Sequence, residues 1–292
     1  MQEPKPHIDI VECPRDAWQG VAEFIPTAEK IAHIKRLLEV GFHTIDAGSF
    51  VSPKAMPQMR DAEELFESIM EDAAVSGTKL LSIVASTKGA QRATAFQGID
   101  AWGYPLSVSE EFQQRNTRKS VAEALEDLGR IKELAVKHNT KLVVYLSMAF
   151  GNPYGEDYHH GIVEERLHQA IACGADVVSI SDTTGEGSLE SIAALSSMMH
   201  KQCTVPWGAH LHSTYDEAAS KALAAISNGC RRIDTAFKGF GGCPFAADSL
   251  IGNMPTEKVY SGLVSNGYAT SLDALALESA YNSALHVFSS RS

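Results

Sequence analysis

His210-Leu211-His212, within Trp207-Gly-Ala-His-Leu-His-Ser-Thr-Tyr215, places two imidazoles two residues apart. On a β-strand that spacing points both rings to one face. Imidazole is the commonest protein ligand for divalent transition metals, so two convergent rings supply half of a coordination shell. A helix-like pattern begins at once afterwards (Tyr215-Asp-Glu-Ala-Ala-Ser-Lys-Ala-Leu). The pair therefore belongs at the carboxyl end of a strand, where α/β proteins build their sites. Taken alone, the pair also fits a half-buried strand with two satisfied histidines, and that is the commoner case.

Other residues of chemical type fall at comparable places. Arg15-Asp16 follows a first strand, Asp46 lies in a second, Asp182 ends a sixth, and Gly239-Phe-Gly-Gly-Cys-Pro-Phe245 follows an eighth. Asp16 with His210 and His212 would make a two-histidine, one-carboxylate set with positions open for substrate and water. Such nitrogen and oxygen donors accept Mg²⁺, Mn²⁺, Zn²⁺ or Fe²⁺. Asp16 also reads as a loop-capping carboxylate, and Arg15 as half of a surface ion pair. Cys243 stands in a glycine-rich turn that can expose a thiol and aim N–H groups at a ligand. A thiol near a cationic site can give or take a proton, although most free cysteines are small buried apolar residues.

The elements that must position these groups alternate in type. Strands are expected at His7–Cys13, Thr44–Gly48, Leu80–Ala85, Ala101–Leu106, Lys141–Met148, Val177–Asp182, Gly208–His212 and Arg232–Phe237. Amphipathic helices are expected at Thr27–Val40, Asp61–Met70, Ser120–His138, Val163–Cys173, Leu189–His200 and Asp216–Asn228, with a further one at Ser271–Phe288. Thr27-Ala-Glu-Lys and Ser120-Val-Ala-Glu read as capped helix starts, the second with capping-box spacing. Gly41, Gly174 and Gly229 each follow a helical run, where a left-handed cap belongs. Eight strands with intervening helices in about 250 residues predict an α/β fold, a (β/α)8 TIM barrel with an additional C-terminal helix. One domain over residues 1–292 is the economical organisation, with the barrel at about 7–268. The extra helix is expected across a barrel end or at an oligomer interface.

Composition narrows the function classes. The chain has 292 residues, 44% of them hydrophobic and 21% charged, and a formal charge of −11. That balance speaks against nucleic-acid binding. Five scattered cysteines (Cys13, Cys173, Cys203, Cys230 and Cys243) form neither a C-x-x-C metal motif nor a secreted disulfide framework. No apolar run reaches membrane-spanning length, and the first residues lack a signal core. A cytoplasmic enzyme with no membrane partner is expected.

Four segments carry a resemblance to the 3-hydroxy-3-methylglutaryl-CoA lyase family of metal-dependent TIM-barrel enzymes. Val11-Glu-Cys-Pro-Arg-Asp-Ala-Trp-Gln19 is similar to the family's opening Glu-Val-Gly-Pro-Arg-Asp-Gly-Leu-Gln. Asp46-Ala-Gly-Ser-Phe-Val-Ser-Pro-Lys54 with Met56-Pro-Gln-Met59 resembles its Ser-Phe-Val-Ser-Pro-Lys segment. Ser107-Val-Ser-Glu-Glu-Phe-Gln-Gln-Arg-Asn116 resembles the stretch after strand four. Gly239-Phe-Gly-Gly-Cys-Pro-Phe-Ala246 with Gly252-Asn253 resembles the mobile cysteine loop and the asparagine beyond it.

The resemblance implies retro-Claisen cleavage of an acyl-CoA, with Mg²⁺ or Mn²⁺ (Zn²⁺ also compatible) held by Asp16, His210, His212 and Asn253. Arg15 would stabilise the oxyanion, Cys243 would carry the proton, and Asp46 and Asp182 would complete the catalytic set, Asp182 lying behind the metal ligands or near the substrate hydroxyl. Tyr154, Asn152, Gln19 and Ser52 would face the substrate, Lys54, Arg115 and Lys119 are candidates for the CoA, and a homo-oligomer, a dimer, is expected. Departures from the pattern lie at Cys13, Ala17, Trp18, Asp46, Asn152 and Ser213, the last in place of an aspartate. They favour a changed acyl group over a changed reaction. A lyase, aldolase or Claisen-type condensing enzyme on another 3-hydroxy acid is the alternative. A non-catalytic barrel scaffold is the alternative of another class.

Overall fold

The eight apolar, β-branched runs are strands, each parallel to the next. A computed structural model describes residues 5–241 and 251–289. Its strands are β1 (Asp9–Glu12), β2 (Thr44–Ser49), β3 (Lys79–Ile83), β4 (Ala101–Ser107), β5 (Lys141–Ser147), β6 (Val177–Ser181), β7 (Trp207–His210) and β8 (Arg232–Thr235). They pair in chain order, and β8 returns to β1 with Val11 opposite Asp234 and Glu12 opposite Thr235. The sheet is a closed barrel.

Period-two alternation sorts every strand between two buried layers. Ile10, Ile45, Leu80, Trp102, Val144, Ile180, Ala209 and Ile233 turn outward into the main core beneath the helices. Leu81, Ile83, Ala101, Val143 and Tyr145 fill part of the barrel interior. Gly103 belongs to that interior, because a Cβ there would lie 2.6 Å from Ile83 and 3.0 Å from the Tyr145 ring. This close approach explains why β4 carries glycine where a branched residue is usual.

Around the barrel run α1 (Pro14–Gln19), α2 (Thr27–Leu38), α3 (Ala62–Ser76), α4 (Thr87–Ala93), α5 (Glu110–Thr117), α6 (Val121–Lys137), α7 (His160–Ala172), α8 (Leu189–Gln202), α9 (Ala218–Ser227), α10 (Thr256–Ser265) and α11 (Ala274–Ser289). Both halves of the Ser120 capping box form: its Oγ accepts the Glu123 N–H, and the Glu123 carboxylate accepts the Ser120 N–H. Thr27 caps nothing; it is already helical behind Pro26, whose ring fixes the approach. Four helices were not expected from the sequence: α1, α4 and α5 lack the amphipathic length that would announce them, whereas α10 is as long as α9. Ser86 and Ser109 cap α4 and α5, and Pro14 opens α1, so local chemistry starts helices too short for a periodic pattern.

The C-terminal helix lies along α2. His33 Nδ1 meets Ser283 Oγ at 3.0 Å, and the Asp273 N–H donates to the Val40 carbonyl at 2.9 Å. Phe288 stacks on Phe240, and Tyr281 meets Phe237 edge-on. It therefore packs on the barrel flank, touching the chain that leaves β8. Among the described residues no helix is long and apolar enough to cross a membrane.

Candidate active site

A cavity of about 180 Å³ opens at the carboxyl ends of the strands. Arg15, Asp16, Gln19, Asp46, His210 and His212 form its polar side. Val51, Met56, Ile83, Ala85, Pro105 and Phe112 form an apolar arc.

Arg15 and Asp16 sit in the first turn of α1, so the run after β1 is a helix start and not a free loop. The Arg15 guanidinium is held from two sides. Nε and Nη2 both donate to Asp46 Oδ2, while Nη1 donates to Asp16 Oδ1 and to Gln19 Oε1, each at 2.9 Å. Gln19 Nε2 donates in turn to Asp16 Oδ1 at 2.9 Å. Burial alone would raise the Asp16 carboxyl, but Arg15, His210 and the Asn253 amide bring it below its ordinary value. Four of the five guanidinium N–H groups are spent in this network. One Nη2–H remains for a substrate oxygen.

His210 ends β7, and His212 lies two residues past it, in an isolated antiparallel bridge with Asn253. The two rings stand 5.4 Å apart. Donor atoms of Asp16, His210 and His212 all lie within 4.8 Å of one another. His210 Nδ1 meets Asp234 Oδ2 at 3.2 Å, and Arg232 pairs with the same carboxylate at 2.9 Å. A carboxylate so paired only accepts, so His210 carries its proton on Nδ1 and its lone pair on Nε2. Burial depresses His210, but the bond and charge of Asp234 outweigh it and raise the ring. Burial and His210 push His212 down to about 3, so this ring is a neutral lone-pair donor. The donor set fits a divalent cation.

Asn253 reaches the same place from beyond β8. Its Nδ2 donates to Asp16 Oδ2 and to the Phe240 carbonyl, both at 2.8 Å. Service as an oxygen ligand would require the carboxamide to present Oδ1 instead. Gly241 allows the contact: at φ +90 a Cβ would sit 2.7 Å from Asn253 Nδ2 and 2.8 Å from the Asp16 carbonyl oxygen.

Several expected residues lie elsewhere. Asp182 follows Val178 and Ile180 in phase and turns outward, away from the cavity. There Oδ2 accepts the Gly187 N–H at 3.1 Å and stands 3.7 Å from Lys221, and burial pushes its carboxyl up to about 6. Asn152 folds its own loop, its Oδ1 accepting the Tyr154 and Glu156 N–H groups. Tyr154 packs with Phe112 and Met148 beneath Arg115 and does not line the cavity. Ser52 is exposed, with its Oγ accepting the Lys54 N–H, although Val51 and Met56 on either side do line the cavity. Arg115 is spent on Glu111, and Lys119 on Asp127 and the Ala85 carbonyl. Cys243 lies outside the described residues.

The departures from the lyase pattern also acquire positions. Trp18 is fully buried against His33, away from the metal-ligand group. Cys13 stands beneath the cavity with His210 and Asp234, and burial plus the surrounding carboxylates push its thiol up, so it rests protonated. Ser213 is buried, its N–H donating to the Gly252 carbonyl at 3.1 Å.

Tyr145, Ser147, Thr183, Asn116 and Asp234 were not expected at the site. Tyr145 meets His210 edge-on at 5.9 Å and accepts from Arg232. It sits mid-strand, below the rim where site residues are sought. Its in-phase position with Ser147 on β5 was the available signal.

The HMGL-like family model matches residues 8–283. The chain belongs to the HMGL-like family. It is 31% identical over 254 residues to mitochondrial hydroxymethylglutaryl-CoA lyase of Mus musculus, covering 86% of this chain and 76% of that protein. It is 32% identical over 273 residues to a cytoplasmic 3-hydroxy-3-methylglutaryl-CoA lyase of Danio rerio, covering 92% and 79%. A solved HMG-CoA lyase from Acinetobacter baumannii, in complex with coenzyme A and 3-methylmalate, superposes with a TM-score of 0.88 at 29% identity, over 96% of this chain and 91% of that one.

Proposed function

We propose that this HMGL-like protein is a divalent-metal-dependent carbon–carbon lyase cleaving 3-hydroxy-3-methylglutaryl-CoA, or a close analogue, to acetyl-CoA and acetoacetate. The convergence of Asp16, His210 and His212 beside Arg15, in one cavity, is the observation that carries this reading. The coenzyme A held by the A. baumannii relative supports an acyl-CoA substrate.

We assign Asp16, His210, His212 and Asn253 as ligands of Mg²⁺ or Mn²⁺, a set with which Zn²⁺ is also compatible. Bound there, the cation would polarise the substrate oxygens and lower the pKa of the tertiary alcohol. The alcohol proton leaves to a base, and the buried Asp46 Oδ1, which has no hydrogen-bond partner among the described residues, is the acceptor we favour. The C2–C3 bond then breaks, its electron pair passing to C2 as the alkoxide becomes the ketone of acetoacetate. Arg15, fixed by Asp46 and Asp16, offers its remaining N–H to the enolate oxygen. Cys243, by its place in the family pattern, returns a proton to C2. The apolar arc of Met56, Ile83, Pro105 and Phe112 receives the C3 substituent, and this wall is where a changed acyl group would be read.

Incubation of the purified protein with 3-hydroxy-3-methylglutaryl-CoA and Mg²⁺ or Mn²⁺ tests the reading through release of acetoacetate and acetyl-CoA. Cys243→Ala should lower turnover by orders of magnitude while metal binding survives. Absence of product with either metal sinks the assignment. We place the enzyme in the cytosol, as a dimer; gel filtration with light scattering checks the second point.

A further inference from the structure

Glu12 is a buried carboxyl that the proposed chemistry does not use. It is in phase with Ile8 and Ile10, so it faces the helical layer on the far side of β1 from the cavity. It is 1% exposed. Burial, with a smaller contribution from the Glu257 charge, outweighs its hydrogen bonds to Thr256, Phe237 and Thr235 and pushes it up to about 8. Holding a carboxyl there is costly without compensation. The family's opening motif has valine at this place and glutamate one residue earlier, where this chain has Val11.

Its hydrogen bonds show what it joins. Oε1 accepts the Phe237 N–H at 2.9 Å. Oε2 accepts the Thr256 hydroxyl at 2.6 Å and the Thr235 hydroxyl at 3.3 Å. Thr235 and Phe237 belong to the chain leaving β8, and Thr256 to the chain returning after Asn253. These two lengths already run side by side. The Ala236 N–H donates to the Met254 carbonyl at 3.0 Å, and the Thr256 N–H to the Ala236 carbonyl at 3.3 Å. Glu12 bolts the pair to β1, four residues before Asp16, and Asn253 then meets Asp16 at 2.8 Å.

We infer that Glu12 is a positioning residue that holds Asn253 against Asp16 and so completes the metal-ligand group from outside the barrel. The inference rests on the ligand reading given under the proposed function. Mn²⁺ affinity, measured by the loss of the free-ion EPR signal, tests it without recourse to turnover. Removing a group that orients a ligand typically weakens metal binding by about 10- to 100-fold, and Glu12→Ala should fall in that range. Glu12→Gln should stay within a fewfold of wild type, because its Oε1 still accepts the Phe237 N–H and its amide still meets Thr256. Glu12→Ala introduced into Asn253→Ala should weaken binding no further, since the two act through one contact.

Thr256→Val removes a single hydroxyl bond and provides the measurement should Glu12→Ala fail to fold; it should weaken Mn²⁺ binding severalfold. Wild-type affinity in Glu12→Ala or Thr256→Val, or additive losses with Asn253→Ala, would overturn the positioning role while leaving the ligand reading intact. Wild-type affinity in Asn253→Ala itself would instead overturn the assignment of Asn253 and, with it, the role of Glu12.

Discussion

At the scale of single residues, the site depends on how buried carboxylates are employed. Asp234 reaches the ligand group through His210, and its acceptor character fixes which nitrogen of that ring is free. Asp234→Asn should weaken Mn²⁺ binding by about 10- to 100-fold, measured by EPR or calorimetry. Glu12 gives a second test through stability. Its folded-state value, about 8, lies above the ordinary carboxyl value of 4.5. A group raised in this way favours folding while protonated: the contribution is full below pH 4.5 and is lost as pH rises through 8. Wild type should therefore lose stability relative to Glu12→Gln between pH 5 and 8, by on the order of a few kcal/mol. Parallel denaturant titrations at those two pH values check it, and a constant difference would contradict it. His210, His212, Asp16 and Arg15 were legible because strand ends mark chemistry in α/β folds. Asp182 does not line the cavity, because the same alternation that brings His210 and His212 inward puts it in phase with Val178 and Ile180, outward.

Among the elements, the eight strands were readable because each is a short apolar run bounded by turn chemistry. Six of the helices and the C-terminal one were readable because their apolar stripes extend over several turns. The helices α1, α4 and α5 were not, since six to eight residues hold too few periods; α1 matters most, because its first turn carries Arg15 and Asp16. The capping box of α6 should be worth about 1 kcal/mol. Ser120→Ala should lower the melting temperature by about 2 °C with turnover unchanged. The chain between β8 and α10 is more demanding. Gly241→Ala meets both a left-handed backbone, costing roughly 1–2 kcal/mol, and the Asn253 and Asp16 atoms under 3 Å away. It should weaken Mn²⁺ binding severalfold, and unchanged binding would show that this loop does not set the Asp16–Asn253 contact.

For the whole molecule, the barrel brings together residues that the chain separates widely. Asp16 from α1, His210 and His212 from the end of β7 and just beyond it, and Asn253 from beyond β8 meet because β8 closes onto β1. That convergence could be anticipated only after the barrel itself was recognised, and the hydrogen-bond network tying Arg15 to Asp46 and Gln19 could not be read from spacing at all. We propose that residues 1–292 form one cooperative unit, since α11 is tied to α2 and to the chain leaving β8. Far-ultraviolet and tryptophan signals should then report a single coincident unfolding transition, whereas a separate helical transition would contradict it. The central claim is that a divalent cation at Asp16, His210 and His212 enables acyl-CoA cleavage. Its most direct test is acetoacetate release from 3-hydroxy-3-methylglutaryl-CoA by chelator-stripped protein titrated with Mn²⁺. The account predicts no product from the stripped protein, full turnover near one equivalent, and no recovery in His212→Ala. Full turnover by stripped protein, or by His212→Ala, would contradict it.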